Sequence, residues 1–243
     1  SPKTVSDVLA LIRSILKFAI RKGNKVPCDG RTIQIRQRIH PIKVLSKKDQ
    51  ERLCRYLYDN FSLYNMGILI CLFTGLRIGE ICALRWEDIS FPENTIYVHQ
   101  TLQRIQYKEN QGKRTKVVIT APKSVCSNRR IPLPEILAQI LISHKVNAGG
   151  YVLTGHDSIF IEPRTLENHF KKALRDCNIE PVNFHVTRHT FATRCVELGF
   201  DIKSLSEILG HANVNITMNR YVHPTFELKK ENMQKLSVLL TVK

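Results

Sequence analysis

The chain has 243 residues, 43% of them hydrophobic, enough to bury a core and to argue against wholesale disorder. Lys and Arg number 37 against 21 Asp and Glu, a formal charge of +16, so a polyanion such as nucleic acid is the expected partner and a membrane surface the weaker alternative. No apolar run approaches the roughly 18 residues of a membrane span, no signal peptide is visible, and the seven scattered cysteines include no CxxC pair, which suits reduced thiols in a cytoplasmic protein.

In chain order, Val5, Val8, Ile12, Ile15, Leu16 and Ala19 recur at helical spacing and predict a helix over 4–22 that stops at Gly23. Residues 24–45 mix Pro, Gly and basic side chains and read as a basic linker. The first 55 residues carry 14 Lys/Arg against 4 Asp/Glu, so helix and linker are expected to lie along phosphates, Lys43 among them; a solvated charged face is the plainer reading. Ser46 and Asp49 form a capping pattern that opens a helix to about Asp59. Further helices are expected near 63–73 and 77–85, a strand over Thr95–Thr101, and two more over Val117–Thr120 and Arg130–Leu133. Residues 103–130 hold eight basic side chains and one acidic, and 103–116 are expected to form a flexible hairpin whose Lys113, Arg114 and Lys116, with the nearby Arg129 and Arg130, contact DNA. Residues 134–145, 163–177, 188–198, 201–209, 213–222 and 226–240 read as helices. The expected fold is mainly α with a small antiparallel β-sheet. Residues 1–30 make a helical piece, 31–45 the linker, and 46–243 the main domain with a C-terminal helix over 226–243.

Three segments carry chemistry. In TGLRIGEICALRWEDI, residues 74–89, Gly75 permits a tight turn and Glu80 lies three residues after Arg77, on the same helix face. Alone, such a pair is most often a structural ion pair. In FHVTRHTFATR, residues 184–194, His185 and Arg188 are spaced to point the same way at a helix start, where free N–H groups suit a phosphate. His189 is read as a packed core histidine with a satisfied hydrogen bond. In LGHANVNITMNRYVHP, residues 209–224, Gly210 ends a helix, His211 follows it and Tyr221 lies ten residues on. A helical tyrosine is normally a packing residue, and His223 reads as a solvated cation.

Together, and in this order, the three segments resemble the tyrosine recombinase family of phage and transposon integrases, over about Val44 to Pro224. The resemblance implies an enzyme that cleaves and rejoins DNA through a 3′-phosphotyrosine, without metal, ATP or other cofactor. It makes Arg77, His185, Arg188 and His211 the groups around the phosphate, Glu80 the carboxylate supporting Arg77, and Tyr221 the nucleophile, with His185 the expected acceptor of its proton. It also implies a catalytic lysine in the sheet hairpin. Lys123, in TAPKSVCSNRRIPL, fits that pattern, with Lys113 and Lys116 as rivals. Thr187 departs from the leucine usual between the His and the Arg. The N-terminal piece resembles only the last part of the family's core-binding domain. The implied partners are double-stranded DNA with specific recombination sites and further copies of the chain, as a tetramer on DNA with the C-terminal helix exchanged in trans, and the implied location is the nucleoid. A type IB topoisomerase-like relaxer and a non-catalytic basic DNA-binding regulator are the competing readings.

Overall fold

The computed structural model describes residues 2–26, 33, 42–109, 112–121, 125–145, 149–222, 229–230 and 233–239. The chain forms two compact units, Ser1–Ile42 and Lys43–Lys243. The first contains helix α1 (Pro2–Arg21), which ends where Gly23 turns left-handed at φ +81°. The expected linker over 31–45 lies largely outside the described residues.

The second unit is built around helices. Ser46 accepts the Asp49 amide at 3.1 Å and opens α2 (Lys47–Asp59), as its sequence pattern predicts. Helix α3 (Leu63–Thr74) is apolar on nearly every side and runs through the centre, with Met66, Ile68, Ile70 and Leu72 excluded from solvent. It stops at Gly75, whose φ of +67° turns the chain into the short helix α4 (Ile78–Ala83). Helix α4 ends earlier than its apolar pattern suggests because Leu84 goes extended. Its carbonyl accepts the Val152 amide at 2.9 Å, and the Trp86 amide reaches the Gly150 carbonyl at 2.9 Å. Tertiary pairing there overrides local propensity.

The β structure has two parts. Strands β1 (Ile89–Ser90), β2 (Thr95–Val98) and β5 (Arg129–Pro132) form an antiparallel sheet in the order β1-β2-β5, with Ile96 opposite Ile131 and Val98 opposite Arg129. Strands β3 (Thr101–Glu109) and β4 (Gly112–Thr120) form a separate antiparallel ribbon, paired from Thr101↔Thr120 to Glu109↔Gly112. The single strand expected over 95–101 is therefore two strands that break at His99, whose Nε2 lies 2.8 Å from Asp88 Oδ1. Of the run 103–116, expected as a hairpin, residues 103–109 and 112–116 are regular paired strand, a ladder of backbone bonds that outweighs their polar composition. Leu102 is buried where β3 crosses α4, a crossing open only because Gly79 has no side chain; a Cβ there would lie 2.6 Å from the Leu102 carbonyl oxygen.

Helices α5 (Glu135–Ser143), α6 (Pro163–Asp176), α7 (Val186–Glu197), α8 (Ile202–Leu209) and α9 (Val214–Tyr221) complete the unit. Proline opens α6 at its first position, and Asp201 and Asn213 cap α8 and α9 through their side chains. Helix α7 starts two residues before the expected 188, so Arg188 lies in its first turn. Thr187 is buried and donates to the Phe184 carbonyl at 2.9 Å, so its hydroxyl is satisfied where an apolar side chain is usual. Of the helix expected over 226–240, only part is described, and Lys235–Leu239 form a 3-10 turn. No described helix is long and apolar enough to cross a membrane. Cys71, Cys82, Cys177 and Cys195 are buried, and burial pushes the thiols of Cys82 and Cys195 up to about 12, so they act as small core residues.

Two glycines separate backbone strain from crowding. A Cβ at Gly75 would lie 2.6 Å from Phe191 Cδ1 and 2.9 Å from Leu209 Cδ2, whereas Gly199, at φ +79°, has nothing within 4 Å. Gly199→Ala is expected to cost only the left-handed backbone term, about 1–2 kcal/mol. Gly75→Ala is expected to cost about 1–3 kcal/mol more from overpacking, read from the midpoints of urea unfolding.

Candidate active site

The site begins at the turn between α3 and α4. Arg77 caps α4, and Glu80 folds back on it: the Arg77 amide donates to Glu80 Oε2 at 2.9 Å and Arg77 Nη1 to Oε1 at 2.7 Å. The Glu80 carboxylate is also gripped from the far side by Arg129 of β5, through Nη2 to Oε2 at 2.8 Å and Nη1 to Oε1 at 3.2 Å. Burial alone would favour the neutral acid, but the Arg129 and Arg77 guanidinia outweigh it and hold the Glu80 pKa below the ordinary carboxylate value.

Arg129 was expected on the DNA-facing surface, and its position corrects that expectation. Its side chain is 5% exposed, and Nε donates to the Ile208 carbonyl at 2.6 Å. The strand alternation explains why: Arg129 lies two residues from the buried Ile131 and shares its inward face. Arg130 points outward, with an exposed contact to Glu93 at 3.2 Å.

Arg188 is 2% exposed, and two backbone carbonyls hold its guanidinium. Its Nη1 donates to the Gly75 carbonyl at 2.8 Å and its Nη2 to the Leu209 carbonyl at 2.6 Å. These carbonyls close the C-terminal ends of α3 and α8, where the helix dipole favours a cation. Burial, then the neighbouring Arg77, pulls Arg188 down to about 9, which leaves it charged at neutral pH.

Three histidines and the tyrosine surround this guanidinium. His185 caps α7 and meets the ring of His189 edge-to-face, centroids 4.5 Å apart. His211 follows the left-handed Gly210 at the end of α8, and its Nδ1 lies 2.8 Å from Thr217 Oγ1. Tyr221 is the last residue of α9, 7% exposed, with its Oη 2.8 Å from His189 Nδ1. Burial pushes the phenol above its ordinary pKa, against the pull of Arg188 and Arg220.

The structure thus brings together Arg77, Glu80, His185, Arg188, His211 and Tyr221 from four helices. Lys123 lies outside the described residues, as do the side chains of Lys113 and Arg114. Lys116 is exposed on β4, 5.3 Å from the centre of the Tyr107 ring. Lys43 is exposed and faces Glu180 at 3.6 Å. Such surface pairs are worth little and leave these cations available for a phosphate. Sequence reasoning gave no role to Arg220, placed Arg129 among the DNA contacts and read His189 as a packed core histidine. His189 is one helical turn from His185, so spacing alone places both on one face, and Arg220 adjoins Tyr221 in the chain.

Chemically, the site is an excess of guanidinium charge around neutral imidazoles and a buried phenol. Such fixed donors suit the developing negative charge of a phosphoryl group under attack. Grooves of about 560 Å3 beside His211 and Arg130, and about 430 Å3 beside His185 and Arg104, border it. An apolar groove of about 570 Å3 lined by Leu72, Phe73, Phe191, Leu198 and Phe200 contains none of the six site residues. Among the described residues no three His, Cys, Asp or Glu side chains gather as a metal site.

Burial and the surrounding arginines push His185 and His189 down to about 4 and His211 to about 3, against 6.5 for a free histidine. The folded state therefore holds fewer protons than the unfolded chain between these values, and stability falls as pH drops from about 6.5 toward 4. Proton NMR titration of the DNA-free protein should find all three imidazoles neutral at pH 5.5, alongside a thermal midpoint that falls from pH 7 to 5.

Comparison with known proteins gives the family of the chain. The chain is 29% identical to a XerC-like tyrosine recombinase of Caldanaerobacter subterraneus, over 98% of this chain and 67% of that protein. It is 27% identical to the Tn916 transposase of Enterococcus faecalis, over 81% of this chain, and spans about half that protein's length, 52%. Its fold matches the Tn1549 transposon integrase, solved in complex with transposon right-end DNA, at a TM-score of 0.75 and 24% identity, covering 97% of this chain and 79% of that one. It also matches lambda integrase bound to a core site, at a TM-score of 0.62 and 13% identity, covering 91% and 74%. Residues 43–227 match the phage integrase family, and the chain belongs to that family of DNA-cleaving and DNA-rejoining enzymes.

Proposed function

We propose that this chain is the catalytic part of a site-specific recombinase that integrates or excises a mobile element, and that Tyr221 is its nucleophile. The observation that carries the reading is the buried phenol of Tyr221 at the edge of a cation cluster built from Arg77 and Arg188, with one carboxylate, Glu80, to brace it. Tyr221 Oη attacks the phosphorus in line, the P–O5′ bond breaks, and a 3′-phosphotyrosine forms. Arg77 and Arg188 hold the non-bridging oxygens, and each such donor contributes about 3–4 kcal/mol where charge gathers. His185 and His211 complete the donor set. Lys123 gives its proton to the departing 5′ oxygen. A 5′-hydroxyl from a partner strand then attacks the phosphotyrosine and releases the phenol, so the bond energy is conserved without ATP.

DNA binding itself rests on Lys43, Lys113, Arg114, Lys116 and Arg130. Arg129 leaves this group, because its guanidinium is committed to Glu80. The helical piece over 1–30, the last part of a core-binding domain, and the basic linker over 31–45 follow the path of the DNA in this reading. So does a nucleoid-associated cytoplasmic location. The apolar residues of 226–240 and the apolar groove beside Phe191 suit a tetramer on two DNA sites that exchanges its last segment in trans.

Two experiments test this reading. On a suicide substrate, the wild-type chain should form a DNA adduct that survives SDS, and Tyr221→Phe should abolish it; an adduct retained in Tyr221→Phe refutes the nucleophile. Lys123→Ala should lose cleavage by about 10²–10⁴-fold and recover it on a substrate with a 5′-bridging phosphorothiolate, whose leaving group needs no proton. Recovery by Lys116→Ala instead would move the proton donor into β4.

A further inference from the structure

One further polar group lies close to the nucleophile. His189 follows Arg188 on α7. It is half-buried, and its Nδ1 lies 2.8 Å from Tyr221 Oη. No hydrogen bond joins Tyr221 Oη to His185, whose ring instead packs edge-on against His189 at 4.5 Å.

Resting on the reading of Tyr221 as nucleophile, we infer that His189 is a further catalytic residue, the acid–base partner of the Tyr221 phenol. In the cleavage direction, the Oη–P bond forms while the phenol proton passes to His189 Nδ1, and the P–O5′ bond breaks. In the rejoining direction, the 5′-hydroxyl gives its proton to Lys123 as the new O5′–P bond forms, the Oη–P bond breaks, and the proton on Nδ1 returns to the departing phenolate. His185 is then free to face the phosphate.

Geometry and charge both support this assignment. An acid–base partner must lie within about 2.6–3.2 Å of the proton it takes, and His189 does so in the DNA-free protein. A neutral imidazole is needed to accept the proton. Burial first, then competition with a proton on His185 at the α7 cap and the charges of Arg220 on α9 and Arg188 on the same helix, disfavour protonation of His189. The arriving phosphate reverses that field. Its negative charge, placed among Arg77, Arg188 and the histidines, stabilises an imidazolium at the moment the proton is transferred. The tyrosine is thus held acidic-side inward on an acceptor that becomes effective only when DNA is bound.

A structural role and a proton-transfer role separate in two assays on the same protein. His189→Asn keeps a hydrogen-bonding group near the Nδ1 position but cannot carry a proton. On the suicide substrate, His189→Asn should form the covalent adduct about 10²–10⁴-fold more slowly than wild type. The second assay, in a Tyr221→Phe background, joins a 5′-hydroxyl strand to a strand carrying a 3′-p-nitrophenyl phosphate. That leaving group departs without a proton, so adding His189→Asn should lower its rate less than about tenfold. His189→Gln, which offers its polar atoms nearer the Nε2 position, provides a second variant with the same expected pattern. Adduct formation by His189→Asn at the wild-type rate overturns the inference. So does a comparable loss in both assays, the result of disturbed packing or a misfolded variant. Absence of an adduct in wild type, or an adduct that survives Tyr221→Phe, instead overturns the underlying nucleophile reading.

Discussion

The whole site depends on one buried carboxylate. Glu80 sits between Arg77 and Arg129 with its side chain only 3% exposed, and it accepts from both guanidinia and from the Arg77 amide. Removing one member of such a buried pair leaves an uncompensated charge and costs about 3–5 kcal/mol. The same contact ties three elements together: the turn after α3, the cap of α4, and strand β5. Arg77 keeps 37% of its side chain exposed, so the brace holds the guanidinium in place without covering it.

Arg188 follows a different solution to the same problem. Among the described residues no carboxylate is hydrogen-bonded to it; the carbonyls at the ends of α3 and α8 accept its N–H groups. Partial negative charges on helix C-termini steady a cation without cancelling it. A cluster of three guanidinia, Arg77, Arg129 and Arg188, and one carboxylate therefore keeps a net positive charge, and that surplus is what a phosphodiester would neutralise. The histidines respond to the same field. Burial beside the arginines keeps His185, His189 and His211 neutral at ordinary pH, as acceptors or as donors from one nitrogen only.

Glycine and threonine positions show how closely the backbone is fitted to this cluster. Gly75 provides the left-handed turn that brings Arg77 round, and its carbonyl holds Arg188. Gly79 lets β3 cross α4 directly behind Glu80. Thr217 is buried and fixes His211 from α9, the helix that ends in Tyr221, so the last histidine and the tyrosine are oriented by one element. The ribbon β3–β4 stands apart from the three-stranded sheet, tied at its base by Arg104 to Glu162 at the start of α6, Nε to Oε2 at 3.0 Å.

Much of this molecule was legible in the sequence. Periodicity located the helices to within a few residues, Ser46 with Asp49 marked a cap, and the basic excess pointed to a polyanion. The resemblance carried by the segments around Arg77, His185, Arg188, His211 and Tyr221 implied that they would meet. Only the tertiary structure decided how they are held. Arg129 looks like one more surface cation until strand pairing turns it inward onto Glu80, 49 residues away in the chain. His189 looks like core packing until α9 delivers Tyr221 to it across 32 residues. Arg188 is gripped by carbonyls 113 and 21 residues distant. The physical reason is that residue identity encodes local conformation and charge, whereas backbone carbonyls are the same at every position. Which of them become acceptors, and which face of a strand or helix meets a partner, is set only when distant elements pack.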